Sequence, residues 1–181
     1  MGYVASKADQ EFIAANVEDG SILHQAGLNE LNIEETTAVD SEDGGVFYRV
    51  PIESGFDSDF LLVERKNNEV VKVAESHISQ VSDSEARVKV WIDGESVHDE
   101  IVHERPQNGF ETRGVKDAWS EFNSCLSNAG VPMPIVTAIT IACGFLGAFT
   151  AGAGVPACMF AAAGGFSATV SFCYGRAMKK L

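Results

Sequence analysis

From position 46 onward the hydrophobic positions fall into short runs with a period near two. These are Val46-Phe47-Tyr48-Arg49-Val50, Phe60-Leu61-Leu62-Val63, Val70-Val71-Lys72-Val73, Val88-Lys89-Val90-Trp91-Ile92 and the run 97–102. β-Branched and aromatic residues in runs of this length, divided by polar breaks, predict strands. Two of the breaks, Asn67-Asn68 and Asp93-Gly94, are only two residues long and tolerate the positive φ of a tight hairpin turn. The pattern therefore predicts a small antiparallel meander. In the fourth run Val88, Val90 and Ile92 share the core-facing parity, whereas Arg87, Lys89 and Trp91 share the other. Trp91 is expected on the outer face, covering an edge or a partner.

Ahead of the strands the period is helical. Ser6 followed by Asp9 can cap a helix running to Val17 with Ala8, Phe12 and Ala15 at helical spacing, and Asp19-Gly20 ends it. A weaker turn is expected over 21–26. After the strands, Arg105-Pro106-Gln107-Asn108-Gly109 breaks the pattern and the chain stays polar through Gly114, which puts a boundary there. Residues 115–128 then read as an amphipathic helix, with Val115, Ala118, Trp119, Phe122, Cys125 and Leu126 on one face. The two prolines in 129–134 mark a turn, residues 135–149 are apolar all round, 150–155 is a glycine-broken turn, and Pro156 can open a last helix. Together these elements predict an α+β fold. A small antiparallel β-meander domain with an N-terminal helix occupies residues 1–114, and a C-terminal three-helix apolar bundle occupies residues 115–181.

Charge sharpens this division. Up to Glu121 the chain carries 10 Lys/Arg against 26 Asp/Glu, a balance of −16, whereas the remaining sixty residues carry only Arg176, Lys179 and Lys180. An acidic front excludes nucleic acid as a partner, since phosphate binding requires a basic surface. Such a surface suits either concentrated salt or ordinary solubility. No basic start followed by an apolar run is visible at the beginning of this stretch, so no secretory signal is read there.

The C-terminal segment has no charged residue from Phe122 to Gly175, which points to a lipid membrane or to burial under a large core. At 1.5 Å per residue its two apolar helices would measure about 24 and 28 Å, marginal against a hydrocarbon layer of ~30 Å. Ala138 with Ala142 and Gly144 with Ala148 recur four apart and allow close helix packing. Trp119 and Tyr174 are candidate membrane-interface residues, and Arg176, Lys179 and Lys180 are candidate contacts to anionic lipid.

All four cysteines, Cys125, Cys143, Cys158 and Cys173, lie in this segment. They form no CxxC pair and have no charged ligand among them, which argues against zinc or an iron-sulfur cluster and for disulfides. Folding the apolar helices back at 150–155 brings Cys173 level with Cys125, and Cys143 level with Cys158. That favours nested bridges among the three connectivities four cysteines permit, with four buried free thiols as the alternative.

Other chemistry is sparse. His98 and His103 differ by an odd number and should point to opposite faces of a strand, reading as surface histidines rather than a metal site. His24 and His77 lie apart from any nucleophile pattern, and there is no phosphate loop. The acidic run 40–45 lacks the later ligands of a calcium loop. No catalytic residue, metal site or cofactor is assigned, and the chain is not expected to be an enzyme.

An acidic, β-rich front followed by a Gly/Ala-rich, disulfide-capable tail resembles the precursors of halocin-type and other cysteine-containing bacteriocins. The resemblance lies in layout and composition over the last third of the chain. It is carried by Cys125-Leu126-Ser127-Asn128-Ala129-Gly130, by Ile141-Ala142-Cys143-Gly144-Phe145-Leu146-Gly147, and by the stretch 156–166 beginning Pro156-Ala157-Cys158. Halocin-type precursors are exported and carry more cysteines in the mature peptide than the four found here. The resemblance implies a secreted or membrane-associated product whose C-terminal part disrupts the target cell's membrane after release. It implies for residues 1–114 a masking or immunity role through contact with the C-terminal helices. Release would require a cut in the polar connector, with Arg113 and Gly114 the preferred locus for their exposure and flexibility. Two other readings stand beside it: an integral membrane protein with two short spans and a soluble sensor or binding domain, and a soluble carrier or structural protein that buries an apolar helical hairpin.

Overall fold

The computed structural model describes residues 2–53, 59–103, 113–150, 154, 157–159, 172–173, 175–177 and 179–180. Helix α1 (Lys7–Glu18) begins where the sequence places it. Ser6 Oγ accepts from the Asp9 amide while the Asp9 carboxylate accepts from the Ser6 amide, so two backbone donors of the first turn are satisfied together. Ile13 and Val17 form its buried side. Gly20, at φ 82°, lets the chain leave the helix.

Seven strands follow one another in both sequence and space: β1 (Tyr3–Val4), β2 (Thr37–Asp40), β3 (Val46–Pro51), β4 (Phe60–Lys66), β5 (Glu69–Ser82), β6 (Glu85–Ile92) and β7 (Glu95–His103). Every neighbouring pair is antiparallel. Both hairpins read from the sequence are present. Asn67 and Asn68 have φ of 51° and 68°, and Asp93 and Gly94 have 49° and 82°. Positive φ at both central residues twists the turn in the sense that the paired strands require.

Three strand assignments go beyond the periodic runs. β1 and β2 lie in stretches too short and mixed to show a period. β5 continues from the predicted run 70–73 through Ser82, although Glu75, Ser76, His77, Ser79 and Gln80 are polar. β4 pairs with β5 through Ser76 and β6 pairs with it from Ala74 to Ser82, so the neighbouring strands supply the backbone partners that hold this polar stretch extended.

Alternation along the strands builds two cores. On one face Tyr48, Val50, Leu61, Val63 and Val73 pack with Ile13 and Val17 of α1 and with Ile22, Ala26 and Leu31. On the other, Phe47, Phe60, Leu62, Ala74, Ile78, Val88, Val90, Ile92 and Val102 share one core with the C-terminal helices. Those helices are α2 (Arg113–Asn128) and α3 (Met133–Phe149). α3 lies across β5, β6 and β7.

This packing revises the expected three-helix apolar bundle. α2 and α3 are present, but they share a core with the sheet and do not stand apart as a bundle. Most of the proposed last helix lies outside the described residues. Residues 154, 157–159, 172–173 and 175–177 are helical. The physical reason for the revision is that an all-apolar helix names no surface of its own, and the inward faces of β5 to β7 present one.

Candidate functional site

The C-terminal helices are closed upon themselves by two disulfides, Cys125–Cys173 and Cys143–Cys158. This is the nested pairing that helix lengths favoured, and no cysteine is left free. The outer bond ties α2 to Cys173, in the helical residues described near the end of the sequence. Its neighbourhood is an antiparallel seam: Glu121, four residues before Cys125, pairs with Arg176, three residues after Cys173. Ala118 and Ala177, farther along the same seam, are both fully buried, as small residues permit where backbones come close.

α3 is enclosed almost all round. Ile135, Val136, Ala138, Ile139, Ala142, Cys143 and Leu146 are buried, while Ala148 is exposed. Pro134 stands in the first turn, where its missing N–H costs no helix bond, and the Thr150 amide closes the far end on the Leu146 carbonyl. The hydroxyls of Thr137 and Thr140 donate back to Met133 and Val136, so α3 satisfies its own polar atoms. On the β7 side, Phe145 stacks against His98 with centroids 4.9 Å apart. Among the described residues no helix is long and apolar enough to cross a membrane.

The candidate membrane and processing residues are dispersed. Arg176 is engaged with Glu121 and lies over Phe172, with its guanidinium 5.9 Å from the ring centroid. Lys179 and Lys180 are exposed in a turn after the last helical residues. Trp119 belongs to α2, and Tyr174 lies outside the described residues, as does the connector 104–112. Arg113 and Gly114, read from the sequence as the end of that connector, stand at the start of α2. His103 is exposed beside Glu85, but His98, read as a surface residue, is half-buried under Phe145. Strand parity did separate the two histidines; it could not show that a helix covers one of the faces.

One cluster escaped the sequence. His77, which looked isolated, donates from Nε2 to Glu75 Oε1 at 2.5 Å, and its Nδ1 lies 3.4 Å from Asp59 Oδ2. Glu75 is 1 % exposed, and its carboxylate also accepts the amides of Gln25 and Ala26 at 2.6 and 3.1 Å. Asp59 accepts the Ile78 amide at 2.8 Å. Burial alone would push the imidazole pKa down. The hydrogen bonds and charges of Asp59 and Glu75 outweigh it and hold the pKa up to about 9. Burial likewise works against the Glu75 carboxylate, but His77 and the two amides keep its pKa below the usual value.

With both nitrogens turned toward carboxylates, the cluster favours the protonated form of the ring. Trp91 meets it edge-on at 5.3 Å, which places the half-buried indole beside this clasp. Glu75 and His77 share a face two residues apart, a visible signal. Asp59 joins them only because Phe60 pairs with Ser76. Among the described residues no group of three or more His, Cys, Asp or Glu is arranged to hold a metal ion.

Comparison of the chain with protein-family models, with curated proteins and with solved structures gives no match.

Proposed function

We propose that the chain is a bacteriocin-like precursor. Its C-terminal helical unit would act on the lipid membrane of a target cell after release, and the acidic sheet domain would keep that unit masked until then. The observation that carries this reading is covalent. Both disulfides close within the unit, from Cys125 to Cys173, and neither reaches the sheet. Apart from the chain itself, the unit is held to the sheet through apolar packing. A single cut ahead of α2 would therefore yield a separable body that keeps its own crosslinks. Its composition supports the same reading: an uncharged stretch from Phe122 to Gly175 followed by Arg176, which pairs with Glu121, and the exposed Lys179 and Lys180 suits an anionic lipid surface. Disulfides favour a secreted product, since they persist in oxidising surroundings.

A second reading has an observation of its own. The continuous core of sheet and helices also suits a protein whose helical hairpin is a permanent layer, as in a carrier or structural module. A specific protease site introduced in the connector separates the two. After cleavage of the oxidised chain, the masked-precursor reading expects dye release from anionic vesicles, suppressed by added sheet domain. Fragments that remain together and leave vesicles intact would establish the permanent layer instead.

A further inference from the structure

Among the described residues, every buried side-chain atom that lacks a hydrogen-bond partner lies on one face of the sheet. Among the described residues three buried side-chain atoms have no hydrogen-bond partner: Thr37 Oγ1, Ser76 Oγ and His98 Nε2. Strand pairing puts all three on the face away from α1. Thr37 lies opposite Arg49, which shares parity with Phe47, but stands on β2, outside the strands that α3 crosses; Ser76 shares parity with Ala74 and Ile78, and His98 lies opposite Val90, both on strands that α3 covers. Phe60, Ser76, Val90 and His98 form one row across β4 to β7, and His98 meets α3 directly through Phe145.

Buried polar side chains on the α1 face are engaged. Thr36 Oγ1 donates to the Ile33 carbonyl at 2.7 Å, the Tyr48 hydroxyl donates to Asp9 at 2.7 Å, and Asp59 and Glu75 accept backbone amides. A buried hydroxyl without a partner penalises only the state in which it is covered, because water serves it in the open state.

We infer that the sheet face beneath α2 and α3 is a reversible docking surface, from which the disulfide-closed C-terminal unit lifts as one body while the α1 face stays folded. This rests on the masked-unit reading, to which it adds the mechanism of release: the mask is weakened by unpaired polar atoms so that it can let go.

Native-state hydrogen exchange of the uncut, oxidised full-length chain tests it. Amides of α3 should exchange through an opening that precedes global unfolding, at least about tenfold faster than those of β4 around Val63. Ser76→Ala and His98→Phe, which remove the orphaned atoms, should each slow exchange in α3 about fivefold or more and leave β4 nearly unchanged. If His98→Phe does not fold, Ser76→Ala carries the test, since it removes only one oxygen. Exchange of α3 solely through global unfolding, or variants that leave α3 unchanged or faster, would overturn the inference. A separate opening in a chain whose cleaved unit leaves vesicles intact would sink the masked-precursor reading and spare the docking surface. Leakage after cleavage without a separate opening would do the reverse.

Discussion

On the side of the sheet covered by α1, polar and apolar groups lock together. Asp9, Tyr48 and Arg65 form a closed network, Arg65 lies 4.3 Å over the Phe12 ring, and the Asp59–His77–Glu75 clasp fastens the segment after α1 to β5. On the side covered by α2 and α3, apolar contact does nearly everything among the described residues, and the polar atoms the sheet contributes there at Ser76 and His98 are left without partners. Directional bonds tie the first layer to particular positions. Apolar burial holds the second layer without specifying it as closely, and the two disulfides supply internally the definition that the interface does not.

The harshest way to break this comparison is a buried charge on each side. Val63→Asp faces α1 and should unfold the whole chain, seen as loss of the β signal in circular dichroism. Val90→Asp faces α3 and should free the helical unit while α1-side amides stay protected in hydrogen exchange; both residues are fully buried. Equal global unfolding by both would erase the proposed difference between the faces.

Removing the crosslinks comes next. Cys125–Cys173 spans 48 residues and Cys143–Cys158 spans 15, so loop-closure entropy predicts losses of about 4 and about 3 kcal/mol when each pair is replaced by Ser. Urea denaturation should give that order, and the α1-side clasp should survive in both variants.

pH sharpens the comparison from the α1 side. His77 gains protons on folding, since its pKa rises from the usual 6.5 to about 9. Its contribution is fully present below about pH 6.5 and is lost as pH rises through about 9, amounting to about 2–3 kcal/mol. The urea midpoint should therefore fall between pH 7 and 10, and His77→Gln should flatten that decline. A midpoint equally steep in the variant would remove the clasp from the account.

The smallest effect uses two adjacent threonines. Thr36→Val breaks the bond to the Ile33 carbonyl and should cost about 1 kcal/mol, whereas Thr37→Val removes an unpaired oxygen and should be neutral or slightly stabilising. Calorimetry of the two variants reads the sign directly.

Much of the fold was legible because its causes are local. The Ser6/Asp9 box, the paired Asn67-Asn68 turn, Asp93-Gly94 and the alternation of Val88, Val90 and Ile92 each act within a few residues, and each stands in the structure where the pattern put it. Helix lengths favoured the nested cysteine pairing that the structure has, without excluding the other connectivities or free thiols. The long polar β5 was not legible, because neighbouring strands and not its own residues keep it extended. Nor was the clasp: Asp59 and His77 are eighteen positions apart and meet only through the register of β4 on β5.

By itself, the sequence determined the periodic strands and the two hairpin turns between them, the cap of the first helix, the split between an acidic front and an uncharged tail, and the confinement of every cysteine to that tail. These are properties of short windows and of composition. Only the tertiary structure decided which surface α3 covers, that His98 lies under Phe145, that His77 sits between two carboxylates, and that the unpaired polar atoms gather on one face. Each depends on strand register and on the burial of one layer by another, and an apolar helix with no polar stripe encodes no direction until a partner surface supplies it.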